Sequence, residues 1–183
     1  MRSDFSTLTL KMLAFAALYV ALFHAFFPMM SWAGAAELAT LFYPPAFVRL
    51  FGFMIIGFWI IPALLLANLI LVTTGAYDLG PGYGPELTMA IFTAFGGPLG
   101  AYVSSRITRL HLSLDNLTPK RLVHAAIGCA IGNAIAFRLA LLFSGAEQAP
   151  LSLGVRVFVG DVLGTLAIIY AIKFALTLCL RRA

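Results

Sequence analysis

Long apolar runs separated by short polar or Gly/Pro-rich connections make up almost the whole of this chain. A helix needs about 20 mostly apolar residues to cross a bilayer. Helices are expected at approximately 10–28, 44–57, 58–74, 87–107, 119–143 and 153–180. Barrel strands would alternate polar and apolar residues over about ten positions, and these runs do not. The pattern predicts an all-α fold: a polytopic membrane helical bundle of about six transmembrane helices, forming one integral membrane domain over 1–183.

Local signals refine this pattern. The run 12–27 lies between Arg2 and Lys11 on one side and Ser31-Trp32-Ala33-Gly34-Ala35 on the other, an arrangement superficially like a secretory signal. It is slightly long for a signal core, so helix 1 is expected to be retained. The stretch 43–74 is too long for one ordinary span and is interrupted by Pro44-Pro45, Gly52, Gly57 and Pro62. It predicts two short or bent helices with a turn near Gly57 to Trp59, as a hairpin or as broken backbone buried in the bundle. The Gly and Pro cluster at 75–85 reads as a loop, and Pro119 suits the first position of helix 5.

Composition fixes the solvent: 62% of residues are hydrophobic and 10% charged, which places the protein in a lipid bilayer. The net charge of +5 has a topological use. Arg106, Arg109, Lys120 and Arg121 cluster around one connection, Arg2 and Lys11 mark the N-terminus, and Arg181 and Arg182 the C-terminus. The connections carrying Glu37, Asp78 with Glu86, and Glu147 hold no Lys or Arg. Both termini are therefore expected in the cytoplasm, with six crossings, and nucleic acid is not an expected partner. Asn116-Leu117-Thr118 matches a glycosylation acceptor, but on the positively charged side the match is incidental.

The chemistry-bearing motifs of hydrolases, nucleotide-binding proteins and zinc proteases are absent, and the seven acidic residues are scattered. An enzyme is not expected, nor a catalytic residue, nor a metal site. Cys129 and Cys179 lie in different helices with no metal-binding spacing. The residues name no cofactor.

Polar residues inside the apolar runs are the functional candidates. Asp161, near the middle of the last run, costs about 2.5–3.5 kcal/mol at a helix centre on insertion scales, so it must face protein, water or a partner. Arg156 is turned by about 140° from it on the same helix and is poorly placed to pair. Arg138 on helix 5 is the expected cross-helix partner. With Asn68 and Arg49 it is expected to form, around Asp161, a polar ligand-binding or ion-pair site, open to a small-molecule ligand. Small residues four apart (Gly96 with Gly100, Gly128 with Gly132 and Ala136, Gly160 with Gly164) predict close helix packing.

Three stretches carry a resemblance: Tyr43-Pro44-Pro45-Ala46, Pro62-Ala63-Leu64-Leu65-Leu66-Ala67-Asn68-Leu69 and Phe158-Val159-Gly160-Asp161-Val162-Leu163-Gly164. In order and approximate spacing, across about 43–180, they resemble the membrane-associated sensor domain of the first type, found ahead of bacterial histidine kinases and diguanylate cyclases. Tyr43 and Phe158 stand where that family usually has Trp, Phe47 replaces a usual Gly, and no Pro follows Gly164. The resemblance implies a sensor-like role in signal transduction in a bacterial inner (plasma) membrane; the family's output domain would follow Arg182, and this chain is expected to be a freestanding copy without it. A freestanding copy is expected to act through another membrane or signalling protein, and the resemblance supplies no stimulus.

Two other roles stay open. A substrate-binding membrane subunit of an energy-coupling-factor transporter has similar size and six helices, with small residues on helix 1 such as Ala17 and Ala21. An accessory or structural subunit of a larger membrane complex also fits.

Overall fold

A computed structural model describes residues 2–32, 41–76, 84–110, 115–144 and 151–180. The described residues are helical with short connections and include no strand: α1 (Arg2–Trp32), α2 (Ala46–Ile56), a 3-10 turn (Gly57–Trp59), α3 (Ile60–Thr73), α4 (Gly84–Ile107), α5 (Pro119–Phe143) and α6 (Leu151–Leu180). Five stretches are long and apolar enough to span a membrane, with α2, the turn and α3 together making one of them. Glu37, Asp78, Glu147, Arg181, Arg182 and the side chain of Arg2 lie outside the described residues.

The largest difference from the expected bounds is in α1, which begins eight residues before the expected start at 10. Residues 2–9 carry little apolar signal but no Gly or Pro, so nothing stops the helix, and the Thr9 hydroxyl folds back onto the Phe5 carbonyl. Along α1 a single stripe, Ala16, Tyr19 and Phe23, is buried. That spacing of three and four is one face of a helix.

α2 ends because Gly57 adopts φ +59°, ψ −138°, a conformation that side chains disfavour, while its N–H still closes the helix on the Phe53 carbonyl. Pro62 falls in the first turn of α3, where a missing N–H costs nothing. α4 shows how far the chain turns. Arg49 of α2 packs at Gly97, the Phe58 ring meets Tyr102, and Asn68 of α3 bonds at Ala90 and Thr93. Between Arg49 and Phe58 the chain thus advances about 7 Å toward the C-terminal end of α4, and from Phe58 to Asn68 it retreats about 15 Å. α2 and α3 run in opposite senses along α4.

The C-terminal ends of α3 and α4 are closed by their own backbone. After α3, Gly75 (φ +69°) donates to the Val72 carbonyl and Ala76 to Leu71. After α4, Arg109 and Leu110 repeat the arrangement onto Arg106 and Ser105, with Arg109 itself at φ +52°. Both are Schellman closures. Thr118 then caps α5 through the Arg121 N–H, with Pro119 at the first helical position. Asn116, the would-be glycosylation acceptor, bonds the Arg109 carbonyl instead.

α4 and α5 make the closest antiparallel pair, interlocked through small residues. A Cβ on Gly100 would overlap the Gly128 carbonyl oxygen, one on Gly132 the Gly96 carbonyl oxygen, and one on Gly96 the Ala136 side chain. In lipid such direct backbone approach replaces the hydrophobic drive that water would supply. Gly100→Val is expected to cost about 1–3 kcal/mol by overpacking. It should lower the Tm of the detergent-purified protein, whereas Leu99→Ala, at the neighbouring exposed position, should leave Tm nearly unchanged.

Candidate functional site: a buried ion-pair cluster

The start of α2 is the unusual local feature, because it lies inside the bundle. Pro44 and Pro45 are fully buried and have no N–H to satisfy. The Tyr43 N–H donates to the Gly160 carbonyl of α6 at 3.0 Å, and the N–H groups of Ala46, Phe47 and Val48 close onto the carbonyls three residues back. Irregular backbone is tolerated at membrane depth only when protein covers it in this way. Gly164 makes the crossing possible: a Cβ there would strike the Tyr43 carbonyl and the Pro44 nitrogen.

This start aims Arg49 into the bundle. Its Nη1 donates to both carboxylate oxygens of Asp161, at 3.2 and 3.0 Å, and its Nη2 donates to the Tyr19 hydroxyl at 2.8 Å. The two charged residues are 4% and 3% exposed, which makes this a buried ion pair. The Asn133 amide of α5 donates to the same carboxylate at 2.7 Å. The hydroxyls of Tyr19 and Tyr43 are 2.9 Å apart, and the guanidinium lies 5.6 and 5.2 Å from their ring centroids. Gly97 of α4 leaves room for the Arg49 stem, since a Cβ there would come within 3.0 Å of Arg49 Cδ. Side chains from α1, the α2 start, α5 and α6 thus converge on one charge-neutral cluster.

The cluster brings together Asp161 and Arg49 and separates the other two expected members. Arg138 is not the partner of Asp161. It packs beside Gly154, seven residues and about 10 Å along α6. Asn133 lies opposite Asp161, and on the antiparallel α5 Arg138 is displaced from it toward the start of α6. Asn68 forms a second, smaller polar contact between α3 and α4, donating to the Ala90 carbonyl and the Thr93 hydroxyl. Sequence reasoning left Tyr19, Tyr43, Gly97 and Asn133 out of the site. The available signal was Tyr19 on the buried stripe of α1, a hydroxyl carried into an apolar interior.

Chemically the cluster holds charge and orientation. No group of three or more His, Cys, Asp or Glu among the described residues could hold a metal ion. The Oδ1 atoms of Asn133 and Asn68 are buried without a hydrogen-bond partner, so each polar contact keeps one acceptor open.

Breaking a buried pair by removing one partner costs about 3–5 kcal/mol, while replacing both by apolar groups is often neutral. Arg49→Met and Asp161→Leu are each expected to lower Tm in detergent sharply, and the double variant to recover most of the loss. Arg138→Gln combined with Asp161→Leu should be additive within about 0.5 kcal/mol. No protein-family model, curated protein or solved structure matches this chain.

Proposed function

We propose that this chain is a non-enzymatic, sensor-like integral membrane module that acts on a partner protein through α6. One observation carries this reading: Asp161, the anchor of the ion-pair cluster, and an unpacked helical end lie on the same continuous helix. Residues 171–179 of α6 are exposed on every face, Phe174 and Leu176 by more than half. A rearrangement of the pair that shifts α6 at Asp161 is carried along about 27 Å of helix to Cys179. Rigid elements with two arrangements are how such coupling travels.

The reversal of α2 and α3 along α4 supports six crossings, and the Lys and Arg distribution supports cytoplasmic termini. The resemblance of the motifs around Tyr43, Asn68 and Asp161 to the membrane-associated sensor domain supports a signalling partner and a bacterial inner membrane. The open Asn133 acceptor beside the carboxylate supports a small polar ligand as stimulus.

A second reading rests on α1. Ala17, Ala21 and Ala25 form an exposed small-residue face. Such a face suits recruitment of a coupling subunit, as in an energy-coupling-factor transporter.

Extraction under the mildest conditions, followed by intact-mass measurement of the assembly, separates these roles. Co-purification of a kinase or cyclase is the expected result, and Phe174→Ala with Leu176→Ala should abolish it while Tm stays within a few degrees. Coupling ATPases lost on Ala21→Leu would favour transport. A large stable complex indifferent to both sets would make the chain a structural subunit.

A further inference from the structure

The outer side of the α4/α5 pair is a groove of about 760 Å³, open along its length and separate from the ion-pair cluster. Its floor is the glycine seam, Gly96 and Gly100 against Gly128 and Gly132. Its walls are larger apolar side chains, among them Phe95 and Leu99 on α4 and Ile131 and Ile135 on α5, all at least 40% exposed. The glycines draw the helices together and leave nothing above the seam, so the trough follows from the packing itself.

The polar lining is confined to one end, where Ser104, Thr108 and His124 stand. Ser104 donates to the His124 carbonyl, and the His124 ring donates from Nδ1 to the Lys120 carbonyl, so Nε2 donates to an anion only in the doubly protonated ring. Lys120 precedes His124 by one helical turn, so both exposed side chains share a face of α5. The same connection holds Arg106, Arg109 and Arg121 against one acid, Asp115. Arg106 is turned onto the Tyr102 ring and Arg121 onto the Asn116 carbonyl, while Lys120, one turn before the lining residue His124, places a cation just beyond the polar end of the groove.

We infer that this groove is a binding site for an anionic phospholipid, with one acyl chain along the glycine seam and the phosphate at Lys120 and His124. Charge selects this occupant. A second copy related by an axis along the membrane normal would bring Lys120 against Lys120, a like-charge contact that costs affinity. A wholly apolar helix would leave the cationic end unmatched. A phospholipid matches both parts, and basic pockets between transmembrane helices are where acidic headgroups are held. The trough from His124 to Leu139 is about 22 Å long, longer than the half-thickness of a ~30 Å hydrocarbon core, so an acyl chain of one leaflet fits within it.

Native mass spectrometry of the full chain tests this, after delipidation in detergent and addition of dioleoyl-phosphatidylglycerol or dioleoyl-phosphatidylcholine. The wild type is expected to retain one phosphatidylglycerol several-fold more strongly than phosphatidylcholine. K120Q with H124Q, both at exposed positions, should bring phosphatidylglycerol down to the phosphatidylcholine level. Leu99→Trp, or Ile131→Trp on the opposite wall, should fill the trough and abolish retention of both lipids. Equal retention of the two lipids by the wild type would overturn the proposal. So would selectivity that survives K120Q with H124Q, or retention unchanged in both tryptophan variants. Dimer formation through Leu99→Cys crosslinking in vesicles would assign the groove to a second copy instead.

Discussion

A guanidinium and a carboxylate buried together in an apolar bundle impose the central constraint on this protein. Each ion alone loses several kcal/mol on leaving water, and their attraction offsets that only when the geometry is good and further hydrogen bonds are made. Arg49 and Asp161 meet both conditions through Tyr19 and Asn133. The rest of the local architecture serves that meeting. Two prolines start α2 without stranded donors, Gly164 lets the Tyr43–Pro44 backbone cross α6, and Gly97 lets the Arg49 stem pass α4.

Glycine has a different part in α4 and α5. There it removes side chains from a long seam so that two helices touch through backbone, and the same omission produces a trough on the lipid side. Stability and an external surface feature therefore have one cause. α4 and α5 take part in both arrangements: their seam is organised around close approach, while Gly97 and Asn133 serve the charge cluster.

Helix positions were legible because length and composition alone specify them in lipid, and the break at Gly57 was legible from its neighbours in a run too long for one span. The early start of α1 was not, since the mostly polar residues 2–9 give no periodic signal even though nothing in them breaks a helix. Asp161 and Arg49 were each readable as costly charges. Their pairing was not, because 112 residues separate them and depth along a helix is poorly fixed by counting. Arg138 was the natural choice on the adjacent helix, and two turns of misjudged depth exclude it. Tyr19 and Tyr43 were missed as site residues because an aromatic ring in an apolar run reads as packing until a cation is placed against it.

The sequence separation of the pair has a consequence for biogenesis. At translation rates of about 5–20 residues per second, roughly 6–22 s pass between synthesis of Arg49 and of Asp161. During that interval α2 carries an uncompensated cation, and the α6 carbonyl that receives the Tyr43 N–H does not yet exist. The short helix is therefore expected to reach its buried position only once α6 is present. A helix made late completes the burial of one made early.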